Sequence, residues 1–296
     1  MVFQVFQILI FLASTELCRR IFAKHVNASE SYVLATILLL QPSWFFIPQM
    51  CMYEALLIFP LVLFVFLLHS HNSKFLSKSF LAPLLTALSA MTLITIHPRT
   101  AIIVGLGLII FRNLISKSLV YYLFVFSILP FAFLFRNGVV YGSWNLATTS
   151  DLARTGLREL MSGNFKEFLY NFACFWTDFS GYGKRGTWYH NATLDYLVQR
   201  QIGDQVRFLE WLISFALFLV LIYGLWKRLR HSPKFVTFVF MTLFSAAALD
   251  GIHFGDSRHR VIFTPLIILF SYLGAKNLLE KFIYQRNYLL RLSKRA

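Results

Sequence analysis

Long apolar runs recur along this chain at short intervals, and nothing else in it limits the fold as tightly. They cover residues 2–18, 31–48, 52–68, 80–96, 100–112, 118–135, 208–226, 235–251 and 261–275, with few charged residues inside them. A chain of 296 residues that is 57% hydrophobic and only 14% charged cannot enclose all its apolar side chains in one soluble core. Surface scaling at this size forbids it. Runs such as Tyr53–Leu68 and Ser118–Phe135 approach the roughly 17–25 residues that a membrane helix needs. The expectation is therefore an all-α, polytopic transmembrane helical bundle of about nine spans. Backbone polar groups in lipid must pair within their own segment, and the runs lack the alternation of a barrel strand.

Lys and Arg gather in short connectors. Arg19, Arg20 and Lys24 follow the first run, Lys74 and Lys78 the third, and Arg112 and Lys117 the fifth. Lys227, Arg228, Arg230 and Lys234 follow the seventh, and Lys276 to Arg295 the ninth. Read by the positive-inside rule, this alternation puts every odd-numbered exit in the cytoplasm, in a multi-pass protein of a bacterial inner membrane. The organisation that follows is an N-terminal transmembrane region (1–135), an outer periplasmic loop (136–207), a C-terminal transmembrane region (208–275) and a basic cytoplasmic tail (276–296). On this reading residue 1 lies outside, so either the first run acts as a reverse signal anchor or an odd number of spans precedes it.

The formal net charge of +15 does not signal nucleic acid, because the cations sit in connectors and the tail rather than on a basic face interleaved with aromatics. Cys18, Cys51 and Cys174 lie in or beside apolar runs without metal-ligand spacing and read as packing residues. No metal site and no cofactor motif is expected.

Polar residues that composition does not demand gather in the connectors read as outer. They include His97-Pro98-Arg99, Arg136-Asn137-Gly138, Asp151, and the turn Asp256-Ser257-Arg258-His259-Arg260. Glu54 opens the third run from the same side, and a charge at membrane depth costs at least about 2.5 kcal/mol unless paired or wet. Arg99 and Arg136 can equally snorkel to head groups, the Asp256–Arg260 stretch can be a solvated turn, and His97 and His190 can be structural hydrogen-bonding groups. Trp144, Trp176, Trp188 and Tyr189 fit an interfacial aromatic belt as well as sugar stacking. A cationic outer turn beside a bilayer runs against the positive-inside rule and suits an anionic ligand, for which a lipid-linked phosphate is the natural choice.

Loop 136–207 is too long for an idle connector. Leu157, Leu160, Met161, Phe165, Phe168, Leu169 and Phe172 recur at helical spacing, which predicts a short amphipathic helix along an interface. The stretch Thr177–Gly186, which includes Asp178 and Lys184, is a glycine-rich charged turn without the ending of a phosphate loop.

At these loops the chain resembles the GT-C membrane glycosyltransferases, in the protein-mannosyltransferase-like and aminoarabinose-transferase-like bacterial branch. The resemblance rests on Arg136-Asn137-Gly138 running on to Tyr141-Gly142-Ser143, and on the His97-Pro98-Arg99 span end. It also rests on Arg258-His259-Arg260 with Pro265 five residues on, and on Arg19–Phe22. The resemblance implies inversion at a sugar anomeric carbon, a polyprenyl-phosphate sugar as donor, and a saccharide, lipid or protein acceptor. Arg258 and Arg260 would hold the donor phosphate, with Arg136, Asn137, His97, Arg99, Lys184 and Asp256 around the substrate. Family members carry an acidic residue in the first outer loop. The chain begins beyond that point, so a truncated or divergent member is expected, with Asp151, Asp178 and Glu54 as substitute bases.

The rival readings are a transporter or flippase of a lipid-linked saccharide, a non-catalytic subunit that binds the lipid carrier, and a membrane polysaccharide polymerase. A transporter would need ionisable residues deep in its spans and inverted repeats, and the sequence offers few of the former and no sign of the latter.

Overall fold

A computed structural model describes residues 2–41, 53–70, 81–96, 100–112, 134–139, 203–252 and 262–293. Isolated positions between them, at 44, 128, 131–132, 142, 165, 168–169, 172 and 175–176, are also described. The described residues form helices and turns, with no strand among them. In chain order the helices are α1 (Val2–Phe22), α2 (Ala28–Leu40), α3 (Tyr53–Ser70), α4 (Leu81–Ile96) and α5 (Ala101–Ile110), then α6 (Gly203–Leu229), α7 (Pro233–Ile252) and α8 (Thr264–Ser293).

The all-helical expectation stands, but the transmembrane part of it does not. Among the described residues no helix is long and apolar enough to cross a membrane. That finding overturns the nine-span bundle and, with it, the placement as a multi-pass protein of the bacterial inner membrane. The physical reasons are length and charge. At 1.5 Å per residue, the 13 residues of α2, 16 of α4 and 10 of α5 reach about 20, 24 and 15 Å, short of a hydrocarbon core of roughly 30 Å. Helix α1 is longer but carries Glu16, Arg19 and Arg20, and the 30-residue α8 is punctuated by Lys276, Glu280, Lys281 and Arg286. Helix α6 is free of charge only over residues 211–226, and α7 has Lys234 and Asp250 near its two ends.

The basic connectors that suggested an orientation have protein partners instead. Arg19 makes a two-pronged pair with Glu16, its Nε and Nη2 lying 2.7 and 2.8 Å from the two carboxylate oxygens. Arg20 shares the same carboxylate at 2.9 Å. Lys276 reaches Glu30 on α2 at 2.6 Å. The last of these ties α8 to α2, whereas Arg19 and Arg20 pair within α1.

Local signals explain where the helices start. The Asn27 side chain accepts the Glu30 backbone N–H at 2.8 Å, satisfying one orphan donor at the head of α2. Pro233 opens α7 at a position where its missing N–H costs nothing. The interior joins Cys18 and Phe22 of α1, Leu34 and Leu38 of α2, Phe64 and Leu68 of α3, Leu93 of α4, Phe238 of α7, and Leu269 and Phe270 of α8, all buried. Cys18 is a free buried thiol, as its packing role requires, while Cys51 and Cys174 lie outside the described residues.

Helices α6 and α8 share the most extensive interface. Gly224 and Gly274 make it possible: a Cβ on Gly224 would collide with the Phe270 carbonyl oxygen, and one on Gly274 with the Val220 carbonyl oxygen. Such close backbone approach admits only glycine.

The predicted amphipathic helix within 157–174 is described only at separate positions. Residues 165, 168, 169 and 172 are helical, and Phe172 packs edge-on against Phe244 of α7 at 5.5 Å. Phe175 is fully buried, and Trp176 lies 5.1 Å from Phe218 of α6. The stretch after residue 275, expected as a tail, continues as helix to Ser293.

Many large apolar side chains stay outside this interior. Phe6, Leu9, Ile109, Phe131 and Phe282 are all more than half exposed.

Candidate functional site

Of the residues singled out in the sequence, the structure describes Arg136 and Asn137 and places Glu54 in the first turn of α3. Arg136 and Asn137 sit together on a helical stretch, residues 134–139. Arg136 is half-buried and Asn137 is wholly buried. Gly142, three residues beyond that stretch, has φ +63, a left-handed conformation that a side chain would strain. A Cβ there would meet nothing within 4 Å, so conformation rather than space demands glycine. His97, Arg99, Asp151, Asp178, Lys184, Asp256, Arg258 and Arg260 lie outside the described residues, as do Trp144, Trp188, Tyr189 and His190.

The densest cluster of ionisable groups that the structure brings together is one that no sequence motif announced. It forms where the turn after α1 meets the ends of α3 and α6 and the start of α7. His25 and His69 lie with ring centroids 4.8 Å apart and an interplanar angle of 8°. Phe235 lies 4.1 Å from His69 and 5.3 Å from His25, at 18° and 21°. Three near-parallel rings at these separations form a compact triangle, not a column. Phe270 of α8 closes one side at 6.1 Å from His25.

Cations frame the imidazoles. Arg228 donates from Nη2 to the His25 carbonyl oxygen at 2.5 Å. Lys24 donates to the Ser70 hydroxyl and lies 5.1 Å from the Phe66 ring centroid. Burial is the main cause that pushes His25 down to about 4, reinforced by Arg228 and then Lys24. Burial likewise pushes His69 down to about 3, reinforced by His25 and Lys24. Burial also lowers Lys24. Both imidazoles are therefore neutral near pH 7, and the Nε2 atom of each is buried without a hydrogen-bond partner.

Chemically, this arrangement offers two neutral imidazole nitrogens beside an ammonium and a guanidinium. Imidazoles this acidic are poor proton acceptors at neutral pH, so general-base work is not what the cluster suits. No third His, Cys, Asp or Glu joins them to form a metal-binding group among the described residues. The two cations beside the rings disfavour a metal ion further.

Neither a family model, nor a curated protein, nor a solved structure matches this chain. The likeness to the GT-C enzymes thus stands on the quoted residues alone.

Proposed function

We propose that the protein is glycosyltransferase-like and takes its sugar from a polyprenyl-phosphate carrier. In the reaction the acceptor oxygen attacks the anomeric carbon as the bond from that carbon to the phosphate oxygen breaks. The electron pair leaves with the polyprenyl phosphate, and the acceptor proton passes to a carboxylate. The acceptor is a saccharide, a lipid or a protein. Arg258 and Arg260, with Arg136 and Lys184, are the cations for the leaving phosphate, where charge develops in the transition state. Asp151, Asp178 and Glu54 are the candidate bases.

The observation that supports this reading is the state of Arg136-Asn137. Asn137 has no exposure and directly follows the half-buried Arg136 on this short helical stretch. That placement fits a pair held in place for recognition, and the left-handed Gly142 falls at the glycine of the Tyr-Gly-Ser stretch.

The test is sugar release from a polyprenyl-phosphate sugar by the purified chain and by Asp151→Asn, Asp178→Asn and Arg258→Ala. General-base catalysis contributes typically about 10²–10⁴-fold, so loss of turnover on that scale in one Asp variant identifies the base. Binding without any release by the parent would make the chain a carrier-binding subunit instead. Absence of both would remove the reading.

A further inference from the structure

The second half of α8 leaves the bundle. Up to Gly274 the helix is buried against α6, and Lys276 pairs with Glu30. From Leu278 to Asn287 every residue is exposed. This projecting part is nonetheless helical to Ser293, about 27 Å of helix beyond Ala275.

Its residues are not distributed as on an ordinary solvated helix. Leu278, Leu279, Phe282 and Ile283 are exposed by 42, 59, 66 and 41%. At 100° per residue they share one face about 140° wide, and Leu289 and Leu290 continue the spacing in the sequence. Lys276, Asn277, Glu280, Lys281, Tyr284 and Asn287 take the remaining arc. Residues 276–296 carry six Lys and Arg against the single Glu280. An exposed apolar face of this size beside a concentrated positive charge signals a contact surface.

We infer that residues 277–293 of α8 dock in the plane of an anionic lipid surface, with Leu278, Leu279, Phe282 and Ile283 in the acyl boundary and the cations against the head groups. This is a peripheral contact along the helix, not a crossing, and it stands whether or not the sugar-transfer reading holds. Two features choose lipid over other partners. The charge balance selects an anionic occupant. Arg286 falls in the middle of the apolar face, where a lipid surface lets its long side chain carry the guanidinium out to a phosphate. A second copy of the same helix would bring together two segments that each carry six Lys and Arg against one Glu, a repulsion that opposes pairing.

The full chain is tested by flotation with phosphatidylcholine vesicles, with and without phosphatidylglycerol. Two variants accompany it: Leu279→Glu with Phe282→Glu, and Lys281→Glu with Arg286→Glu. All four positions are exposed, so the bundle has no reason to change, and circular dichroism checks that helix content is kept. The parent is expected to float with the anionic vesicles at least tenfold more than with phosphatidylcholine alone, and less as salt rises. Each double variant should reduce anionic flotation at least tenfold. Flotation indifferent to the anionic lipid, or unchanged in both variants, contradicts the inference. So does a parent that stays in solution and sediments as a dimer dispersed by Phe282→Glu, which would make the face a contact between copies.

Discussion

The imidazole of His25 lies 4.8 Å from that of His69 at an angle of 8°, although 44 positions separate them in the chain. Both residues are neutral in the fold because burial and the nearby Lys24 oppose a positive charge, with Arg228 adding to the effect on His25. The unfolded chain, with ordinary histidines near 6.5, binds protons that the folded chain refuses. Stability contributed by the pair is thus complete above about pH 6.5 and is lost as pH falls toward about 4 for His25 and about 3 for His69. Denaturation monitored from pH 7 to pH 4 should show stability falling steadily, with both histidines contributing. In Arg228→Gln the His25 titration followed by NMR should move upward, since one opposing charge is gone. An ordinary His25 titration near 6.5 in the parent would refute the burial argument.

The pair of glycines at the α6–α8 contact gives a second expectation. In Gly224→Ala or Gly274→Ala the new methyl meets a backbone carbonyl, which cannot swing aside as a side chain can. Overpacking of this kind costs about 1–3 kcal/mol, and both variants should fall at the upper end. Gly105 of α5 is the control, because a Cβ there meets nothing within 4 Å. Gly105→Ala should be neutral or stabilise by up to about 1 kcal/mol, as expected for alanine replacing glycine in a helix. Equal melting temperatures for Gly224→Ala and the parent would contradict the close approach.

Lys276 and Glu30 tie α8 to α2 at 2.6 Å, with both side chains partly exposed. The lysine holds the Glu30 carboxyl below the usual carboxylate range, and the glutamate raises Lys276. Solvent screening keeps such a pair modest. A double-mutant cycle with Glu30→Gln and Lys276→Met should return a small favourable coupling. It should weaken as pH falls below the carboxylate's titration and as salt rises. Zero coupling at low salt would make the contact incidental.

Which parts of this fold are legible in the sequence follows from the range over which each signal acts. Apolar runs mark α3, α4, α6 and α7 to within a few residues, because helix formation is written in local pattern. The role of the cations is not written there. Arg228 meets residue 25, and Lys276 meets residue 30, so their partners are 203 and 246 positions away. A local reading sees only a basic residue after an apolar run, and the positive-inside rule then supplies a topology that helix length and charge content overturn. His25 and His69 each follow such a run, with no spacing that predicts their meeting. The glycine contact escapes for the same reason. The face of α8 is written at i, i+3, i+4 spacing, but the density of Lys and Arg gives the same segment the composition of a basic tail. Of the residues proposed for the site, Arg136 and Asn137 are described as neighbours on one helical stretch, with burial that the sequence did not disclose.

The proposed sugar transfer requires that Arg136 belong to a site for a phosphate-linked sugar carrier. Titration of the purified chain with a short-chain polyprenyl-phosphate sugar tests it most directly, beside Arg136→Ala and Arg258→Ala. Removing one charged hydrogen-bonding group costs about 1.5–3 kcal/mol, so each variant should bind roughly 10-fold to 100-fold more weakly. Their circular dichroism should match the parent. Saturable binding that both substitutions weaken is the predicted result. Affinity unchanged in both variants, or no binding by the parent, would contradict the claim.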